Sequence, residues 1–158
     1  MLILCDSREQ RNKHVTDYFE KNGIQYLPRV SFETGDYREI SNEKLIVDRK
    51  ANLTEVCGNV CQQHERFRRE VIRAHEAGIQ LVILIEHGHG ITSIEDVERW
   101  VNPRLKKNKT ATSGGTLAKI MRTFSERYGV RWEFCRKEET GARIVEILGQ
   151  KEKSNGIR

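Results

Sequence analysis

The sequence predicts an α/β fold in which a central mixed β-sheet is flanked by α-helices. Short apolar runs such as Leu2 to Cys5 and Leu81 to Ile85 alternate with stretches of helical periodicity such as Leu53 to Ala77. Between them, extended segments are separated by turn residues. A chain of 158 residues with 37% hydrophobic content supplies one sheet-and-helix core and not two full domains.

Taken in order, Leu2 to Cys5 reads as a buried strand that delivers Asp6 to a sheet edge. A helix fits about 11 to 22, with Val15, Tyr18 and Phe19 on one side and Gly23 at its end. Ile24 to Phe32, Asp36 to Ile40 and Lys44 to Asp48 read as an antiparallel meander punctuated by Thr34-Gly35 and Ser41-Asn42. Leu53, Val56, Val60, Phe67, Val71 and Ala74 recur at helical spacing, which predicts one long amphipathic helix closed by Gly78. Ile79 to Ile85 is then a strand, and its unbroken apolar run places it mid-sheet, covered on both faces. Thr92-Ser93-Ile94-Glu95 is a capping box opening a short helix that Asn102-Pro103 stops. A polar loop over 102 to 115, a helix from Thr116 to Tyr128, a strand from Val130 to Cys135 and a helix from Glu139 to Leu148 complete a domain of residues 1–149. Residues 150–158 form a charged tail with nothing to bury.

With 28 Lys and Arg against 23 Asp and Glu, the net charge is +5 and the pI about 9.1, a surplus suited to a polyanion. The apolar start is too short for a signal sequence, and no run approaches the ~18 apolar residues of a membrane span. The expectation is a cytoplasmic chain, nuclear in a eukaryote, with no membrane partner. Cys5, Cys57, Cys61 and Cys135 are too sparse for a disulfide scaffold. Cys57, Cys61 and His64 stack at spacings of four and three and invite a zinc reading. They share the stripe of Val60 and Phe67, where thiols pack as apolar groups, and no fourth ligand is near in sequence. His87 and His89 follow a strand end, where loop histidines are usually solvated.

Acidic residues fall at predicted strand ends: Asp6 and Glu9, Asp36, and Asp48. Converging carboxylates can hold a hard divalent cation such as Mg²⁺ or Mn²⁺, and a neighbouring lysine can stabilise charge developing on a phosphate. Side chains two apart on a strand share a face, so Asp48 and Lys50 point together, whereas Arg49 points the other way towards a structural ion pair. Asp6 and Glu9 either reach the cation, Asp6 as a ligand, or pair with Arg8 or Arg49. An acid on one strand followed by acid-x-lysine on the next is the pattern of restriction-endonuclease-like nucleases.

The succession Asp6-Ser7-Arg8-Glu9, Gly35-Asp36-Tyr37, Asp48-Arg49-Lys50 and Arg66-Phe67 resembles the XPF-type nuclease family over residues 2 to about 149. The apolar strand ending at Glu86 also sits where that family has one. The resemblance implies a restriction-endonuclease-like fold and a Mg²⁺- or Mn²⁺-dependent endonuclease acting on branched or flapped DNA in repair, recombination or replication. It assigns Asp36, Asp48 and Lys50 to catalysis with Asp6 and Glu9 beside them, and Asp36, Asp48 and Asp6 to the metal. DNA phosphates are expected at Arg8 and Arg66, and at a loop clamp of Arg104, Lys106, Lys107 and Lys109. Asp48 stands where the family has glutamate, and Thr54, followed by Glu55, where it has a further aspartate. The family's eukaryotic members carry a helix-hairpin-helix domain for which 158 residues leave no room, so branch recognition is expected of this domain or a partner. The resemblance further implies a homodimer, or pairing with a related subunit, through the last two long helices. Leu117, Ile120, Met121, Phe124, Ile144, Ile147 and Leu148 there exceed what one sheet face needs. Open beside this reading stand a non-catalytic DNA-binding module, either a pseudo-nuclease or an accessory recombination protein, and a nuclease acting on RNA.

Overall fold

The computed structural model describes residues 1–88 and 90–150; most of the charged tail, and His89, lie outside them. The strands are β1 (Leu2–Asp6), β2 (Gln25–Val30), β3 (Tyr37–Glu39), β4 (Asn42–Lys50), β5 (Gln80–Glu86) and β6 (Arg131–Cys135). The helices are α1 (Lys13–Lys21), α2 (Leu53–Cys57), α3 (His64–Glu76), α4 (Ile94–Val97), α5 (Gly114–Tyr128) and α6 (Thr140–Leu148). The sheet order is β2-β1-β3-β4-β5-β6, with β1–β2, β4–β5 and β5–β6 parallel and the two pairs around β3 antiparallel.

β5 lies between β4 and β6, with every residue from Leu81 to Glu86 buried, as its uninterrupted apolar run predicts. Ile83 and Ile85 face a core layer built with Leu53, Val71, Leu117 and Met121 from α2, α3 and α5. Val82 and Leu84 face the other layer, with Val15 and Phe19 of α1 and Ile144 and Ile147 of α6. Alternate residues of one strand thereby anchor both layers.

The expected meander holds only for β3 and β4. β2 pairs parallel to β1 at the sheet edge and does not touch β3. The reason is α1: a helix between two strands makes a crossover, and a crossover returns the chain parallel. Pro28 and the exposed pattern of β2 mark an edge strand, where a missing N–H costs least.

The long helix expected over 53–77 is interrupted by a π-helical turn, Gly58–Gln62. There the Gln63 N–H donates to the Gly58 carbonyl, five residues back. The extra residue in the turn keeps Val60 and Phe67 in the core but turns Cys61 to the surface, so of the two helical thiols only Cys57 packs as an apolar group. The apolar surplus read from α5 and α6 is used inside the chain: Leu117, Met121, Phe124, Ile144, Ile147 and Leu148 are buried, and Ile120 partly so. Among the described residues no helix is long and apolar enough to cross a membrane.

Candidate active site

The Gly-Asp pair sits where β1, β3 and β4 meet. The Asp36 amide donates to the Val47 carbonyl at 2.9 Å, and its carbonyl accepts the Asp6 amide at 2.8 Å. Its side chain is fixed as well, with Oδ2 accepting the Arg49 amide at 2.8 Å. The turn into this position needs Gly35: its φ is +74°, and a Cβ there would lie 2.2 Å from Ile46 Cγ2 and 3.3 Å from the Val47 carbonyl. Gly35→Ala is therefore expected to cost about 1–3 kcal/mol. At roughly 2–4 °C per kcal/mol for a domain of this size, a thermal melt should show a drop of several degrees.

Asp48 and Lys50 share one face of β4, with the Lys50 ammonium 3.2 Å from Asp48 Oδ2 and both side chains almost buried, at 13% and 14% exposure for Lys50 and Asp48. Asp36 lies within side-chain hydrogen-bonding reach of Asp48. Burial, then the Asp48 charge and hydrogen bond, then Glu9, hold the Asp36 carboxyl well above the usual carboxylate range. Burial works against the Lys50 ammonium, but the carboxylates of Asp48, Asp36 and Glu55 outweigh it and keep its pKa above the ordinary lysine value. Glu55, to which the sequence assigns no role beyond its place beside Thr54, is thereby a participant. The Ala51 amide donates to its carboxylate at 2.7 Å, and its own amide is capped by Asn52. The Asn52 cap opening α2 was the available signal.

Asp6 and Glu9 are not drawn into this cluster. Asp6 Oδ1 accepts from the Arg8 amide and Nε at 2.8 and 2.9 Å, and Oδ2 from the Phe32 amide at 2.8 Å. Burial opposes its charged form, but these bonds prevail and hold its pKa below the ordinary aspartate value. Its carboxylate serves to tie Arg8 and the chain after β2 together. Glu9 receives Arg49 Nη2 and Nε at 2.8 and 3.1 Å, although its charge still reaches Asp36.

Arg49 takes the opposite face, as the strand alternation requires, and enters a buried network. Its Nη1 lies 3.2 Å from Glu86 Oε1, which also meets His14 Nε2 at 2.5 Å and accepts from the Thr140 hydroxyl at 2.9 Å. Arg49 Nη2 further donates to the Arg11 carbonyl. The chain after β1, α1, β4, β5 and α6 are thus joined directly behind the Asp36–Asp48 pair.

The expected DNA contacts fall on two surfaces. Arg8 and Arg66 are 59% and 71% exposed and border one groove, whereas Arg104 and Lys107 line a cleft of about 430 Å³ with Cys57, Cys61 and Thr112. Lys106 and Lys109 are exposed nearby in sequence. His64 turns towards Glu65 and away from the thiols' cleft, so the zinc arrangement is not formed. Among the described residues no three His, Cys, Asp or Glu side chains converge as a ready-made metal site. The Asp36–Asp48 pair offers only oxygen donors, which suits a hard cation whose shell is completed by main-chain carbonyl, water or substrate oxygens.

XPF from Aeropyrum pernix has a solved structure 20% identical to this chain, with a TM-score of 0.66; the match covers 94% of this chain and 63% of that one. The same protein in complex with DNA matches with the same identity and TM-score, over 93% and 62% of the two chains. This chain therefore spans less than two thirds of that protein's length, and the likeness establishes the restriction-endonuclease-like sheet-and-helix fold that the sequence predicts. No curated protein matches the sequence significantly. A family model does, across both the Asp36–Asp48–Lys50 cluster and the Arg49 network behind it: residues 5–148 match the ERCC4 domain, and the chain belongs to that family.

Proposed function

We propose that this chain is a metal-dependent, structure-selective DNA endonuclease. The observation that carries the reading is the cluster of Asp36, Asp48 and Lys50, two abutting carboxylates and an ammonium at one almost buried spot. The family match and the DNA complex of a protein with the same fold support it.

In this reading Asp36 and Asp48 hold Mg²⁺ or Mn²⁺, which supplies charge to polarise a phosphodiester and acidify a water. The Arg49 amide fixes the Asp36 carboxylate, so that ligand is oriented before an ion arrives. Lys50 is held in its charged form and acts as an electrostatic stabiliser of the phosphate and the attacking water; it does not serve as a base. Asp6 acts through Arg8, positioning a guanidinium for the phosphate backbone. Glu9 acts through Arg49 and the charge that it directs at Asp36.

Branched or flapped DNA, a role in repair, recombination or replication, and pairing with a second copy or a related subunit belong to the same proposal. Incubation with labelled flap, fork, duplex and single-stranded DNA and with RNA, with Mg²⁺ or with chelator, tests it. Cleavage of branched DNA that chelator stops is expected. Binding without cleavage in any divalent ion would favour the non-catalytic module, and preference for RNA would move the substrate class. A monomer in sedimentation at tens of micromolar, where standard-sized interfaces are normally occupied, would remove the dimer.

The loop clamp has its own readout. If Lys106 and Lys107 contact duplex phosphates, replacing both with Ala should flatten the log–log salt dependence of DNA affinity by about 1.8. An unchanged slope would take the 104–109 loop out of the interface.

A further inference from the structure

α3 presents Arg66, Arg69 and Arg73 at spacings of three and four, which set them on one helix face, and all three are exposed. Together with Arg8 they border an open groove of about 700 Å³. Arg8 connects this groove to the candidate active site, because its guanidinium is held by Asp6 and lies in the fields of both Asp36 and Glu70. The groove does not end at Arg73. Arg73 and Glu33 also border a second cavity of about 300 Å³, whose wall includes Arg38 and Lys44.

The electrostatics of this path favour an extended anion. Neither Arg69 nor Arg73 is in an ion pair among the described residues; Arg69 Nε instead donates to the Glu65 carbonyl. Glu70 meets Arg66 at 3.5 Å and Glu43 meets Arg38 at 3.4 Å. Both pairs are partly solvated and therefore weak, so phosphates can displace them. Arg38 lies over the Phe32 ring, 5.2 Å from its centroid, and its partly exposed side chain lines the cavity. At ~1.5 Å of rise per residue, Arg66 and Arg73 stand about 10 Å apart along the helix, so the three guanidiniums form a row along it and not a single point.

We infer that a nucleic-acid strand passing the Asp36–Asp48–Lys50 site continues past Arg8 and along α3, its phosphates held by Arg66, Arg69 and Arg73, towards the cavity beneath Arg38. The inference rests on the endonuclease reading and adds the course of the strand. Arg68 supplies an internal control. It lies on the same helix but lines a different cavity, with Arg127 and Tyr128.

The test measures binding of the full chain to a labelled flap with a single-stranded arm, in chelator, over a series of salt concentrations. Arg69→Gln/Arg73→Gln should weaken binding and flatten the log–log salt slope by about 1.4, the release from two single-strand phosphate contacts. Arg68→Gln should leave the slope at the wild-type value. A double variant indistinguishable from wild type, or an equal loss in Arg68→Gln, would overturn the path while leaving the endonuclease reading intact. Wild-type protein that binds no DNA at any salt would overturn the reading itself and the path with it.

Discussion

Asp36→Asn should raise the melting temperature at neutral pH while abolishing cleavage. Burial, Asp48 and Glu9 hold the Asp36 carboxyl above its usual range, so the folded protein binds that proton more tightly than the unfolded chain does. The stability linked to that proton is fully present below the unfolded aspartate pKa of about 3.9, and it is lost as pH rises through the elevated folded value. Asparagine does not titrate. Its amide oxygen can still accept the Arg49 amide, and its NH₂ can donate towards Asp48 where the wild type sets two carboxylates together.

The gain of the variant over wild type should therefore be small near pH 4 and grow with pH. Each unit of elevation corresponds to about 1.4 kcal/mol, and each kcal/mol to roughly 2–4 °C. Mg²⁺ or Mn²⁺ reverses the comparison, because an ion that binds only the native carboxylate pair stabilises wild type by linkage and leaves the variant nearly unmoved. Melting curves across pH, with and without the ion, report both effects without any activity assay. A variant less stable than wild type at every pH, or equal stabilisation of both by the ion, would end the assignment of Asp36 and Asp48 as a cation site.

Much of this site was legible because strand alternation is a rigid rule. Asp48 and Lys50 had to share a face and Arg49 had to take the other, whatever their partners proved to be. β5 was legible for a similar reason, since only a strand covered on both faces carries Leu81 to Ile85 without a polar break. Pairing was harder to read. Nothing local in β2 says that it lies beside β1, although the helix before it and Pro28 within it argue for a parallel edge strand. The π turn was hidden because the seven-residue step from Val60 to Phe67 suits an unbroken helix equally well, and of the residues expected on that stripe it is Cys61 and His64 that lie at the surface. Least legible were the uses of polar groups. Asp6 has a carboxylate at a strand end just as Asp36 does, and what separates them is a local Arg8 and a Phe32 amide 26 residues away.

Removing the Arg49 guanidinium is expected to be the most damaging single change outside the Asp36–Asp48 pair. Glu9 and Glu86 are both almost buried and both face Arg49; without it Glu86 keeps His14 and the Thr140 hydroxyl, whereas Glu9 keeps no ion pair among the described residues, and a buried carboxylate deprived of its partner typically costs about 3–5 kcal/mol. For a domain of this size that is on the order of 10 °C in Tm. Arg49→Met keeps much of the side-chain volume, so its loss reports charge more than cavity. Adding Glu9→Gln and Glu86→Gln to Arg49→Met removes the two carboxylate charges that Arg49 faced and should recover a large part of the stability, because neutral buried groups need no counter-ion. Catalysis should not recover with it. The Arg49 amide that holds Asp36 depends on where β4 lies, and the side-chain anchor from β4 to the chain after β1 and to β5 is gone in the triple variant. Melting curves of the single and triple variants beside their cleavage rates separate the two roles. A single variant as stable as wild type would show that the network contributes no net stability, and a triple variant that cleaves normally would show that it does not position the site.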